Sequence, residues 1–117
     1  MGSTTFQVRL TDSALNDLHE IDDYWFLRGE PDRGEQYVRN LIEQAESELS
    51  SPLRARSGRP VRVALLPDTR EILVFKSTYK IIYRIDAAEK IVHVLRFWHG
   101  HRRDPDLNEG GDGGSER

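Results

Sequence analysis

Apolar and polar positions follow two different periods along the chain, and the change of period separates helical from extended segments. The run Phe6-Gln7-Val8-Arg9-Leu10 alternates with the period of two that is typical of a half-buried strand. After it, the apolar residues fall on one stripe of a helix, at Ala14, Leu18, Ile21 and Trp25. Thr11 is suited to cap the start of this helix, and Gly29 to end it.

A second helix is predicted between Pro31 and Ser50. Asp32, with Glu35 three residues later, is similar to a capping box at its start, and Pro52 lies just beyond its end. Each of the two helices is expected to span roughly 17 to 19 residues. Because so few residues separate them, we expect an antiparallel helical hairpin.

The second half of the chain returns to β-branched and aromatic runs with short polar breaks. Strands are predicted at Arg70–Lys76, Tyr79–Asp86 and Lys90–Trp98, and the short gaps force antiparallel neighbours. Val61–Leu65 is a candidate for a short edge strand within an otherwise basic loop. This order predicts an α+β fold, in which an N-terminal strand and an α-helical hairpin pack on a small, largely antiparallel β-sheet.

The chain has 117 residues, which suits one domain with a single hydrophobic core. We expect this domain to span residues 6–107 and to follow a flexible N-terminus at residues 1–5. Residues 108–117 contain no apolar side chain and are acidic and rich in glycine. Since nothing there can offset the entropy lost on ordering, we expect a disordered tail.

The composition excludes several kinds of site and location. The chain has no cysteine, so disulfides, thiolate catalysis and cysteine–zinc sites are excluded, and a reducing compartment suits it. No apolar run approaches the roughly 18 residues that a membrane helix needs. His99 and His101 are spaced as a metal-binding pair, but no third ligand accompanies them. We therefore expect a cytoplasmic protein without a metal, a cofactor or membrane contact.

The net charge of −3 hides a strong segregation of charge along the chain. Residues 12–50 carry eleven acids against three arginines, a balance of −8, whereas residues 51–103 carry twelve cations against four acids, a balance of +8. The basic segment ends in a dense cluster, His99-Gly100-His101-Arg102-Arg103. A basic half of this kind favours an anionic partner in spite of the acidic overall balance.

The two faces of the predicted sheet differ in chemistry. If Ile85 pairs with Lys90, one face is apolar and should meet the helices, with Ile81, Tyr83, Ile85, Val92 and Val94. The other face should stay open, with Lys80, Ile82, Arg84, Ile91, His93 and Leu95, and with Arg56, Arg59, Arg96, Arg102 and Arg103 along its rim. Such a face suits the phosphates of nucleic acid or an acidic protein surface; the alternative is a set of ordinary solvated cations.

The predicted end of the first helix carries four consecutive large apolar residues, Tyr24-Trp25-Phe26-Leu27. They surround the helix, so one packed face cannot bury all of them. Either the connection to the second helix folds over the excess, or a partner protein covers it.

In order along the chain, several short pieces together resemble the RelE/ParE superfamily of toxins from bacterial type II toxin–antitoxin systems. The pieces are Leu10-Thr11-x-x-Ala14, Pro52, Gly58-Arg59-Pro60, Arg70-Glu71, Tyr79-x-Ile81-x-Tyr83-Arg84-Ile85 and Val94-x-x-x-x-His99-Gly100-x-Arg102-Arg103. The resemblance extends from Phe6 to Pro105, and its closing His-Gly-x-Arg-Arg is the most specific part.

This resemblance implies one of two activities. RelE-like members cut messenger RNA on the ribosome with basic residues of the open sheet face and often a C-terminal tyrosine, whereas ParE-like members have longer helices and poison DNA gyrase. Lys80 falls where RelE-like enzymes place an important arginine, and Arg102 or Arg103 falls near another. No tyrosine follows Tyr83, however, and the predicted helices are long, so the ParE-like branch is favoured.

The resemblance also implies a partner, an antitoxin of ParD-like or RelB-like type that holds the toxin inactive in a hetero-oligomer. Residues expected to contact the antitoxin or the target are Tyr24, Trp25, Phe26, Arg59, Arg84, Arg96, Arg102 and Arg103. A non-enzymatic gyrase inhibitor is the first hypothesis. The alternatives are a ribosome-dependent endonuclease, with Lys80, Arg84, His99, Arg102 and Arg103 as catalytic candidates, and an inactive binding module of the same fold.

Overall fold

The computed structural model describes residues 5–62 and 66–99 of the chain. Its elements are β1 (Gln7–Leu10), α1 (Asp12–Leu27), α2 (Pro31–Leu49), α3 (Pro52–Arg56), β2 (Arg59–Pro60), β3 (Thr69–Val74), β4 (Tyr79–Asp86) and β5 (Ile91–His99). The expected disordered tail, most of the candidate strand Val61–Leu65, and the candidate residues His101, Arg102 and Arg103 lie outside the described residues.

The strands form one sheet in the order β1-β5-β4-β3-β2. β1 is parallel to β5, and the other three pairings are antiparallel, which confirms the predicted α+β architecture. The helices cover one face of the sheet. The core between the two layers combines apolar residues of both, among them Ala14, Leu18, Leu41, Ala45, Leu49, Ile81, Tyr83, Ile85, Val92, Val94 and Phe97.

The helical hairpin follows its predicted boundaries, except for the cap of α2. Thr11 caps α1 as expected, because its Oγ1 accepts the Ala14 N–H at 3.2 Å. Gly29 follows α1 with a φ of 79°, in the left-handed region that favours glycine. The predicted capping box at Asp32 is wrong: α2 already begins at Pro31, whose fixed φ suits a first helical position, and Asp32 lies in the first turn.

The hairpin between β4 and β5 is shifted by one position from the predicted loop. Asp86 pairs with Ile91, where pairing of Ile85 with Lys90 was expected. Lys90 instead belongs to the turn and has a φ of 59°, and Asp86 Oδ1 accepts the N–H of Glu89 at 3.2 Å. The loop moves by one residue, so the partner of each residue on β4 moves by two; Ile85, for example, pairs with Val92 instead of Lys90. Because strand side chains alternate with a period of two, this shift leaves each side chain before the bulge on its predicted face.

A β-bulge in β5 changes which face of the sheet the residues after Val94 occupy. Leu95 has no partner on β4, so Arg96 lies opposite Ile82 and Phe97 opposite Ile81. Leu95 was expected on the open face opposite Lys80; the bulge instead brings Arg96 onto this face and turns Phe97 into the core. The carbonyl of Val94 accepts a hydrogen bond from Thr11 Oγ1 at 2.8 Å, which ties the bulge to the start of α1.

The basic loop contains a short helix and a two-residue strand held close to β4. The Tyr83 hydroxyl donates to the Ala55 carbonyl at 2.6 Å, and burial raises the pKa of this phenol to about 12. Gly58 lies so close that an added Cβ would overlap the Tyr83 hydroxyl, and glycine is therefore required there. This anchoring places Arg59 of β2 beside Glu71 of β3.

Candidate functional site

The sheet face turned away from the helices, called the open face below, carries cations on four strands. Alternation along the paired strands places on it Arg9 of β1, His93 and Arg96 of β5, Lys80, Ile82 and Arg84 of β4, Thr69 and Glu71 of β3, and Arg59 of β2. Lys80 and Arg84 therefore share a face as predicted. They are four residues apart on one strand, about 13 Å by the rise of an extended chain.

One carboxylate contacts two cations at the end of the open face that we call the paired end, formed by Glu71, Lys80 and Arg59. Glu71 Oε1 lies 3.6 Å from Lys80 Nζ, and Glu71 Oε2 accepts from Arg59 Nε at 3.0 Å. The side chains of Glu71 and Lys80 are only 10% and 12% exposed, so the ion pair is largely removed from water. Two predicted site residues thus have an acidic partner that the prediction did not assign.

Arg96 was expected on the exposed rim of the open face, but in the structure its side chain is buried, with only 7% exposed. β1 pairs only with the first part of β5, and Asp17 of α1 occupies the edge beyond it. Arg96 Nε and Nη2 each donate to Asp17 at 2.8 Å, and Asp17 Oδ2 also accepts the Phe97 N–H at 2.9 Å. Asp17 was missed, although an acid between Ala14 and Leu18 on the apolar stripe of α1 indicates a buried partner.

A second group on the open face, the arginine–histidine row, consists of Arg9, His93 and Arg84. Arg9 pairs with His93 across β1 and β5, and His93 pairs with Arg84 across β5 and β4. Burial lowers the pKa of His93, Arg84 and Arg9 lower it further, and Asp86 opposes them. In the described part of the chain neither arginine takes part in an ion pair, so this row keeps its positive charge.

The aromatic run at the end of α1 stays largely exposed. Phe26 is 64% and Leu27 81% exposed, so the connection to α2 does not fold over them. Trp25 is half-buried and stacks on Tyr37 of α2, with ring centroids 5.8 Å apart. The guanidinium of Arg28 lies 4.3 Å from the centre of the exposed Tyr24 ring. The hairpin therefore ends in an apolar surface next to arginines, which we call the hairpin tip (Tyr24 to Arg28).

His99, a catalytic candidate, lies on the opposite side of the sheet from Lys80 and Arg84. Its ring meets the edge of Tyr79 at 5.2 Å between centroids, and Tyr79 in turn contacts Tyr37 of α2. The structure therefore separates His99 from the cations of the open face. No cluster of three or more metal-ligating side chains occurs in the described ranges, nor is any described helix long and apolar enough to cross a membrane.

A sequence model of the ParE toxin of type II toxin–antitoxin systems, parDE, matches residues 8–104. The chain belongs to this family. The predicted superfamily is thereby confirmed for most of the length of the chain. No curated protein matches this ParE-family sequence significantly.

Solved structures similar to this ParE-family toxin come from both branches of the superfamily. The chromosomal ParDE system of P. aeruginosa matches with a TM-score of 0.66 and 22% identity, over 83% of this chain and 98% of that one. The RelBE2 toxin–antitoxin complex of Mycobacterium tuberculosis matches with a TM-score of 0.59 and 28% identity, over 81% and 98%. The isolated E. coli RelE toxin matches with a TM-score of 0.50 and 20% identity, over 85% and 88%.

Proposed function

We propose that this toxin stops bacterial growth as a non-enzymatic inhibitor of DNA gyrase in the cytoplasm, and that a cognate antitoxin neutralises it. The family match supports the toxin assignment. The observation that carries the non-enzymatic part is the ion pair of Lys80 with Glu71. Lys80 stands at the position that resembles a catalytic arginine of RelE-like nucleases, and here it already contacts a neighbouring carboxylate.

Phosphodiester cleavage needs cations and a proton donor or acceptor within hydrogen-bond reach of one phosphate. Among the described candidates, Lys80 is paired, Arg84 lies about 13 Å away along the strand, and His99 packs on Tyr79 at the other face. These positions argue against a shared catalytic centre for the three residues. A protein that acts by binding its target needs no such convergence.

A ribosome-dependent messenger RNA endonuclease is the second candidate function. It is favoured by the similarity to the RelBE2 complex, whose identity of 28% exceeds the 22% of the ParDE system. Its catalytic residues would be Lys80, Arg84 and His99 together with Arg102 and Arg103.

Induced expression without the antitoxin separates these functions. A gyrase inhibitor is expected to arrest growth, induce the SOS response and leave cleaved or poorly supercoiled DNA, while transcripts stay intact. Arrest with cleaved transcripts and no DNA damage would instead establish the endonuclease. Normal growth with accumulated folded protein would contradict both. Glu43→Gln, a change at an exposed site on α2, serves as the control variant and should be as toxic as the unaltered chain.

The antitoxin partner is proposed from the similar structures, which are ParDE and RelBE systems. We expect a ParD-like or RelB-like protein in a hetero-oligomer. We propose that it contacts the hairpin tip and the arginines of the basic half, residues 51–103. The proposed contact residues are Tyr24, Trp25, Phe26, Arg59, Arg84, Arg102 and Arg103. Arg96 is removed from this set because it is buried against Asp17.

Titration of the antitoxin against Phe26→Ala and Arg103→Ala tests this surface. A buried aromatic anchor contributes about 2 kcal/mol or more, so Phe26→Ala should weaken binding about 30-fold at every salt concentration. Arg103→Ala should mainly slow association and reduce its salt dependence.

Two leucines offer a matched control, because Leu27 at the hairpin tip and Leu53 on α3 are both 81% exposed. Leu27→Ala should weaken antitoxin binding, whereas Leu53→Ala should leave it unchanged. Small and equal losses for all of these variants would show that the antitoxin binds elsewhere.

A further inference from the structure

The arginine–histidine row is built across three neighbouring strands at one level of the open face. Arg9 on β1, His93 on β5 and Arg84 on β4 are register partners. Strands in a sheet lie about 4.8 Å apart, so an arginine flanks the imidazole on each side at this spacing. Arg9 is exposed and Arg84 is half-buried.

Within residues 5–62 and 66–99, the row has no ion-pair partner of the kind found elsewhere on the same face. Lys80 and Arg59 contact Glu71, and Arg96 contacts Asp17. In the row, Arg9 Nη2 donates only to the neutral side chain of Gln7, at 3.1 Å. The nearest acid along β4 is Asp86, whose Oδ1 accepts the N–H of Glu89 in the adjoining turn. Two cations beside a histidine repel one another, Asp86 only partly offsets this repulsion, and a bound anion relieves it.

We propose that Arg9, His93 and Arg84 form a binding site for a phosphate group, separate from the paired end of the open face. A carboxylate has two oxygens, which a single guanidinium can occupy by a bidentate contact. A phosphate offers more acceptor oxygens and can take two guanidinium groups and an imidazole together. The site goes beyond the proposed function, because phosphate binding requires neither gyrase nor the antitoxin.

Phosphate binding at this site is coupled to protonation of His93. In the free protein, the pKa of His93 is lowered by burial and by the nearby charges of Arg84 and Arg9. The charge of Asp86 only partly opposes this lowering. A bound phosphate places negative charge beside the imidazole and raises its pKa, so binding takes up a proton. Affinity should therefore increase as the pH falls through the titration of His93.

The test is an NMR titration of the histidine side chains in the full chain, with and without inorganic phosphate at constant ionic strength. Phosphate should raise the titration midpoint of His93 and leave that of His19, an exposed residue on α1, unchanged. Arg9→Gln and Arg84→Gln should each weaken binding about tenfold, the effect of one lost charge-assisted hydrogen bond. Arg39→Gln, a change at an exposed arginine on α2, should have no effect. Equal responses of His93 and His19 would overturn the proposal.

Two further ligands identify the source of the phosphate. A single-stranded oligonucleotide that shifts His93 at lower concentration than inorganic phosphate would assign the site to a nucleic-acid backbone. A shift with inorganic phosphate alone would assign it to a free phosphate or a phosphate monoester. If poly-glutamate of equal charge raised the His93 midpoint as much as either ligand, the row would be a carboxylate site and the proposal would be wrong. Each measurement uses purified toxin, so failure here leaves the growth experiment unaffected.

Discussion

Each end of the open face carries two cations, and the two ends differ in whether those cations have acidic partners. At the paired end, Glu71 lies within ion-pair distance of Lys80 and Arg59. In the arginine–histidine row, neither Arg9 nor Arg84 has an ion-pair partner in the described part of the chain. Cations of equal formal charge therefore produce different electrostatic potentials at the two ends. An anion is expected to bind at the end whose cations are not ion-paired.

The acids that pair with Lys80 and Arg96 lie on different secondary-structure elements from these two cations. Glu71 lies on the strand next to Lys80, and Asp17 comes from α1, 79 positions before Arg96. Glu71 is already counted in the balance of +8 for residues 51–103, whereas Asp17 is not, so this balance overstates the charge only at Arg96. Substitutions of these acids, or of residues in the arginine–histidine row, test how far ion pairing accounts for the difference between the two ends.

The largest effect is expected from Asp17→Ala, which removes the carboxylate that pairs with the buried Arg96. Loss of one member of a buried pair typically costs about 3–5 kcal/mol in the free energy of unfolding. Urea denaturation measures this directly, and Asp23→Ala at an exposed position of the same helix is the control. The double variant Asp17→Leu/Arg96→Met should lose much less than Asp17→Ala, because it buries no unpaired charge. An equal loss in both would show that packing of α1, and not the charge pair, determines stability here.

A smaller effect is expected from Glu71→Gln, which removes the acid from the paired end. The free energy of unfolding should fall by about 1 kcal/mol, the net worth of a partly buried charged contact. The change removes one negative charge beside Lys80 and Arg59, so single-stranded oligonucleotides should bind more tightly and with a steeper salt dependence. Filter binding over a range of salt concentrations measures both. If Glu43→Gln on α2 gave the same gain, the cause would be net charge and not the lost pair.

The smallest effect concerns the pH dependence of stability. The pKa of His93 is lowered in the folded protein, so the unfolded chain binds a proton more readily. Stability is therefore expected to fall as the pH drops through about 6.5, the ordinary histidine value, and to stop falling below the folded-state pKa. His93→Asn should remove this part of the decline, as measured by urea denaturation at several pH values. His19→Asn, which changes an exposed histidine, should not. Parallel profiles for the unaltered chain and His93→Asn would contradict the assignment.

The sequence was sufficient to predict the order of elements and the two sheet faces, because both depend on local periodicity. Tyr83, Ile85, Val92 and Val94 all lie in the core as predicted from alternation. The bulge at Leu95 could not be predicted from alternation, and the residue that contacts the adjacent Val94 carbonyl, Thr11, lies 83 positions away in the sequence. The one-position shift of the last hairpin likewise depends on turn geometry at Lys90, for which composition gives no clear indication.

The candidate site was less predictable than the fold. The sequence identified the cations of the open face, including Lys80 and Arg84, but could not say which of them would be neutralised. Pairing depends on which acid reaches which cation in three dimensions, and Asp17 reaches Arg96 from another layer of the fold. Arg9 was overlooked because one arginine in an alternating strand has no distinguishing context; it gains importance only through its pairing with His93.

Pro60, on the outermost strand, affects how copies of this protein behave in concentrated solution. The Val61 N–H points inward and donates to the Thr69 carbonyl at 2.9 Å, so alternation along β2 turns the nitrogen of Pro60 outward. A second chain aligned along this edge would find no donor there, because proline has no N–H. This two-residue strand therefore resists the edge-to-edge pairing through which exposed sheets aggregate.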